Sequence, residues 1–220
     1  AYMFKWLSGC FHWLGITQFI SRYLRNINDI SYRDFYWNLL KFAQDNEDTF
    51  IGSELKITLE SLEYAIANEF SLGRVIEEVD EDRDKNQLIW DYDEATAIQI
   101  NLGDNKDRFY RELRGFLKTS LNLSFDDILW DDIVKYQSNA IINPYDEYPY
   151  VKEFNYNIHN CTMGTTDTLQ NGGYKLEFNQ SWADNPKNKK GYFGDKFQFA
   201  CEKLWWLRNR GEYRAKVREL

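Results

Sequence analysis

The sequence predicts an α+β protein, about six helices with a small antiparallel C-terminal sheet. Three observations carry that expectation. Apolar residues recur at helical spacing through most of positions 1–143. Beyond Pro144 the pattern turns to alternation, the period of a strand. Capping residues and glycines punctuate the segments. At 220 residues the chain can bury a sizeable core without disulfides or metals, and its 15 Phe, 15 Tyr and 8 Trp imply a core built from rings. The reading takes 1–220 as a single α+β domain, with a helical part at 1–143 and a sheet plus one helix at 144–220.

The first helix is expected over residues 4–25, with two apolar stripes: Phe4, Leu7, Phe11 and Leu14, then Trp6, Cys10, Trp13, Ile20 and Leu24. A second starts at Ser31, whose side chain pairs with Asp34 in a capping box. A third starts at Ser53 and buries Leu55, Leu59, Leu62 and Ile66. Residues 88–90 and 97–102 have weak strand character. The fourth helix follows Asp104, with Phe109, Leu113, Phe116 and Leu117 inward. The fifth is capped by Ser124 and Asp127 and buries Phe125, Ile128, Leu129, Ile133 and Tyr136. A strand is expected over 151–158, and a hairpin over 165–178 turning at Asn171-Gly172. A last helix from Asp195 and a final strand over 213–218 complete the chain.

The net charge of −8 argues against nonspecific nucleic-acid binding, because neutralising phosphates needs an excess of Lys and Arg. That charge is uneven. Residues 74–94 hold nine acids and three bases, and residues 186–220 hold ten bases and four acids. This reads as a solvated acidic loop and a basic end; the sharper alternative is a docking surface. Residues 2–20 are rich in apolar side chains, but Lys5, Ser8, His12, Thr17 and Gln18 interrupt them. A span needs about 20 largely apolar residues, so a buried helix is expected and no membrane partner. The odd set Cys10, Cys161 and Cys201, widely spaced, suits reduced thiols in a cytoplasm. The chain opens Ala1-Tyr2-Met3 without an initiator Met, so it is expected to carry an artificial start or to be cut from something longer.

Motifs for chemistry are sparse. There is no CxxxCxxC to hold an iron–sulfur cluster, and neither GxGxxG nor a Walker loop to cradle phosphates. His159-Asn160-Cys161 is at most half a zinc site, and His12 on an apolar face reads as a hydrogen-bonded core histidine. No catalytic, cofactor or metal residue is therefore assigned. Trp90, Trp130, Trp182, Trp205 and Trp206 could form a ligand platform, although aromatic residues at helical spacing usually belong to a core. Trp205 and Trp206 cannot both face inward. Arg208 and Arg210 could bind an anion through their planar forks, or simply complement a helix C-terminus.

One segment carries a resemblance. Phe11-His12-Trp13-Leu14-Gly15-Ile16-Thr17-Gln18-Phe19-Ile20-Ser21-Arg22-Tyr23 has the form F-H-x-x-G-x-T-Q-x-x-x-R-Y. It resembles a helix downstream of the catalytic barrel in bacterial cobalamin-binding-domain radical S-adenosylmethionine proteins. Residues 51–55, 73–75 and 199–211 are similar to theirs as well. The resemblance implies a C-terminal accessory domain of such an enzyme, shaping the substrate site or docking a partner, with no catalytic site of its own. S-adenosylmethionine, a [4Fe–4S] cluster and cobalamin are implied only for the parent protein, whose upstream barrel and cobalamin-binding domains would be the partners. The residues implied to face substrate or an interface are His12, Trp13, Gln18, Arg22 and Tyr23; Trp206, Arg208 and Arg210 are the candidates near the C-terminus. Cobalamin loops of the form Asp-x-His-x-x-Gly have Asp where Cys10 stands, so Cys10 to Gly15 is not expected to ligate cobalt. The competing reading is an independent protein- or ligand-binding module.

Overall fold

In the computed structural model the described residues are 2–68, 73–74, 90–101, 104–141, 148–179 and 214–220. They have an α+β fold, with eight α-helices, one π-helical segment and a three-stranded antiparallel sheet among them. The elements in order are α1 (Tyr2–Leu7), the π segment (Ser8–Trp13), α2 (Gln18–Ile27), α3 (Tyr32–Asp45), α4 (Phe50–Asn68) and α5 (Tyr92–Asn101). They continue as α6 (Asn105–Ser120), α7 (Asp127–Ala140), β1 (Tyr150–Tyr156), α8 (Ile158–Met163), β2 (Asn171–Asn179) and β3 (Lys216–Glu219). No described helix is long and apolar enough to cross a membrane.

The chain divides into two compact units. The first takes residues 1–14 and 36–123, the second 15–35 and 124–220. In the first unit Phe11 stacks on Phe109 with centroids 5.5 Å apart, and Trp6 meets Phe11 edge-on at 5.9 Å. Phe109, Leu113, Phe116 and Leu117 of α6 are buried, as their spacing predicts. In the second unit Tyr136 of α7 is surrounded by the rings of Phe19, Phe154, Phe178 and His159. Such offset and edge-on contacts suit the ring quadrupole better than face-to-face sandwiches.

The expected first helix is broken. An i→i−5 bond from Leu14 N to Gly9 O marks the π segment, and Gly15 then turns with φ +87°. The insertion of an extra residue per turn rotates the side chains out of the regular helical register. Trp13, at the end of the π segment, is exposed against the stripe read from the sequence, and so is Phe4 in the regular helix α1. Residues 97–101, read as strand-like, lie in α5. There Ala95, Ala97, Ile98 and Ile100 are buried, and a short apolar run buried on several sides has no period to distinguish helix from strand.

The cap of α7 is Asp126, which accepts from Leu129 N at 2.7 Å, rather than Ser124. Ile128, expected inside, is exposed. The box at Ser31 and Asp34 is present, with Asp34 N donating to Ser31 Oγ at 3.0 Å and Ser31 Oγ donating to Asp34 Oδ2 at 2.7 Å. The hairpin expected over 165–178 does not form. Instead β2 pairs antiparallel with β1, and α8 lies between them in the chain. Asn171 pairs with Tyr156 and Tyr174 with Phe154, so Asn171-Gly172-Gly173 lies opposite an irregularity in β1 rather than at a turn. The buried carboxylate of Asp132 accounts for it, accepting from Asn155 N at 2.6 Å and Tyr156 N at 3.0 Å. Backbone donors released by a bulge must find another acceptor. β3 pairs with β2 through Leu176↔Glu219 to Asn179↔Lys216. The helix expected from Asp195 lies outside the described residues.

Candidate functional site

The residues singled out in the sequence fall into two groups. His12 and Trp13 belong to the first unit; Gln18, Arg22 and Tyr23 belong to the second. Trp206, Arg208 and Arg210 lie outside the described residues, as do Trp182 and Trp205.

His12 and Trp13 close the π segment. His12 Nδ1 pairs with the Tyr36 hydroxyl at 3.1 Å, and the rings meet edge-on. Trp13 beside it is 66% exposed. Within the same segment Cys10 is fully buried as a free thiol. Burial pushes that thiol well above its ordinary range, and the charges of Asp93 and Glu54 add to the effect. A thiol held neutral this way is a poor nucleophile. A Cβ at Gly9 would press on the Asp93 carboxylate, which would have to shift. Burial also raises the Asp93 carboxyl. A buried chain of polar groups runs nearby. Trp6 Nε1 donates to Thr96 Oγ1, which donates to Glu54 Oε2 at 2.8 Å, and Arg74 pairs with the same oxygen at 2.6 Å. With each charge compensated, this chain orders α1, α4 and α5 around one carboxylate.

In the second unit, α2 is seated by Gln137 of α7. Gln137 Oε1 accepts from Phe19 N at 2.8 Å and Ile20 N at 3.2 Å, and its Nε2 donates to Gly15 O. These are the orphan donors and the turn carbonyl at a helix start, satisfied by one side chain. Gln18 is 2% exposed, and its Oε1 has no hydrogen-bond partner. Arg22 lies over the Phe19 ring at 5.5 Å and reaches the Met163 sulfur at 3.9 Å. Tyr23 is buried against Phe125, and burial raises its hydroxyl pKa.

The three members of the His159-Asn160-Cys161 run are engaged separately. His159 Nδ1 pairs with the Tyr136 hydroxyl at 2.8 Å, and Asn160 donates to Glu219 at 2.9 Å. Cys161 donates to Asn157 Oδ1 at 3.4 Å. Burial lowers the His159 pKa, with Glu219 acting in the opposite sense. Among the described residues no three His, Cys, Asp or Glu side chains come together as a metal site. Trp90 and Trp130 belong to different units, and Trp130 is buried. Sequence reasoning passed over Tyr136 as anything but core and missed Gln137 and its clamp. The clamp joins positions more than a hundred residues apart, where no local spacing could signal it.

The arrangement holds side chains in place through buried hydrogen bonds within each unit. No family model matches the chain, and no curated protein matches it.

Proposed function

We propose that this chain is the C-terminal accessory domain of a bacterial cobalamin-binding radical S-adenosylmethionine enzyme, working in the cytoplasm. In that role it docks against the upstream barrel and shapes the substrate site, while the cluster, S-adenosylmethionine and cobalamin are held by the upstream domains. The observation that carries the reading is Trp13. The stretch 11–23 bears the resemblance, its neighbours Phe11, Leu14, Phe19 and Tyr23 are buried, and yet the Trp13 indole is 66% exposed. A large exposed ring in an otherwise buried segment is the kind of residue that interfaces use.

The competing reading, an independent binding module, would use the same indole. Sequencing the reading frame upstream of Ala1 separates the two. The proposal expects a continuous frame with a barrel carrying CxxxCxxC. A frame that stops, or continues into an unrelated domain, overturns it.

A further inference from the structure

The Tyr136 side chain is 1% exposed, and the rings of Phe19, Phe154, Phe178 and His159 surround it with centroids 5.7–6.3 Å away. Among the described residues its hydroxyl has one hydrogen-bond partner, His159 Nδ1 at 2.8 Å. A buried O–H must place its proton on an acceptor. The hydroxyl therefore donates and Nδ1 accepts, which puts the ring's own proton on Nε2. Burial holds the phenol well above its ordinary range and the imidazole below its own, so both are neutral at pH 7. The charged groups facing the pair are Arg22, which acts on the phenol against the effect of burial, and Glu219, which favours a proton on the imidazole.

Enclosure keeps ligands from the Tyr136 hydroxyl, but an electron needs no cavity. Rings lead outward from it within the second unit. Tyr136 meets Phe178 at 6.2 Å, Phe178 stacks on Tyr150 at 5.5 Å, and Tyr150 meets Tyr148 at 5.0 Å. Phe178 is fully buried, whereas Tyr148 and Tyr150 are partly open to solvent. Electron transfer weakens steeply with distance, so a run of rings in contact carries it between the surface and the buried phenol. A phenol that loses an electron becomes a strong acid. Oxidation is therefore far easier where a base already holds the hydroxyl proton, as His159 does here.

We propose that Tyr136 and His159 form a one-electron redox site, reached through the rings of Phe178, Tyr150 and Tyr148. An outer-sphere one-electron oxidant at the surface takes one electron from the Tyr136 phenol and is itself reduced by one. The phenol O–H bond breaks, and its proton passes along the 2.8 Å hydrogen bond to His159 Nδ1. The products are a neutral phenoxyl radical and an imidazolium, whose charge Glu219 favours. Without the base, the oxidised phenol would remain a cation buried among apolar rings, at a large desolvation cost. The same aromatic shell keeps other reactants from the radical, so it persists until it is reduced again. The site does not depend on which parent the chain belongs to.

The test is flash photolysis of the 220-residue chain with tris(bipyridine)ruthenium and a sacrificial electron acceptor. The photogenerated Ru(III) complex is the oxidant, and samples frozen after the flash are read by electron paramagnetic resonance. The expected result is a long-lived neutral tyrosyl signal that is lost in Tyr136→Phe, which keeps the ring and its packing. Tyrosines oxidised at the surface decay faster and are common to both chains. His159→Gln keeps a hydrogen-bond acceptor but no base, and should also remove the long-lived signal. In the wild type that signal should disappear at a pH below the ordinary imidazole value of 6.5, where His159 takes up a proton from water. Absence of a long-lived signal in the wild type overturns the site, whether or not the variants fold. So does an undiminished signal in folded Tyr136→Phe. A signal that survives in folded His159→Gln, or that does not change with pH, overturns the proton transfer to His159.

Discussion

Gln137 holds Gly15: the carboxamide of one donates to the carbonyl of the other, while its oxygen takes the backbone N–H groups of Phe19 and Ile20. One side chain on α7 thus fixes both the turn after the π segment and the first turn of α2. Removing it leaves two helix-start donors without partners in a buried place, and leaves the Gly15 carbonyl with only the long 3.4 Å bond from Gln18 N. Gln137→Ala is expected to destabilise the chain by more than a single hydrogen bond would, about 2–4 kcal/mol from unsatisfied groups plus lost packing. Urea denaturation measures it, and a change below about 1 kcal/mol would show that water replaces the clamp.

Gly15 itself adopts φ +87°, and a Cβ there would press on the Ile141 side chain. Gly15→Ala should therefore carry two costs, left-handed strain of about 1–2 kcal/mol and the collision. Adding Ile141→Val, which removes the offending Cδ1, should recover only the second. Full recovery in the double variant would mean the backbone relaxes out of the left-handed region.

Trp13→Ala should change stability by no more than about 0.5 kcal/mol, because the indole is already largely in water. Phe11→Ala, two residues earlier and fully buried, should cost about 3–5 kcal/mol. Equal losses in the two variants would put Trp13 in the core and remove the basis for a docking role.

Cys10 and Cys161 should be silent to alkylation in the native protein. Burial pushes Cys161 up to about 11 and Cys10 well above its ordinary range, so at pH 8 both are protonated as well as covered. Iodoacetamide at pH 8 should modify neither until denaturant is added, and then both. Rapid native labelling of Cys10 would contradict the burial of the π segment.

His159 supplies a pH dependence with a definite sign. Its folded pKa lies below the ordinary 6.5, so the fold favours the neutral ring. Below the ordinary value the unfolded chain binds the extra proton first, so this residue's contribution to stability is lost as pH falls through that window. Between pH 7 and pH 5 the wild type should lose stability more steeply than His159→Gln. The comparison is two denaturation series, and identical slopes would place the titration elsewhere.

Local sequence determined much of this molecule. Spacing of Phe109, Leu113, Phe116 and Leu117 gave α6 and its inward face, and Ser31 with Asp34 announced the start of a helix, because both signals act within one or two turns. Alternation placed β1. Tertiary structure decided the rest. A continuous helix over 4–25 is locally reasonable; it is broken where Gly9 lies against Asp93 and Gln137 grips the Gly15 turn. Asn171-Gly172 reads as a hairpin turn, yet lies within β2, opposite a bulge whose backbone donors Asp132 captures. Helical and strand periods record which side of a segment is buried. They carry no record of which distant carboxylate or amide will satisfy a backbone group, and that pairing set the break at Gly15 and the bulge in β1.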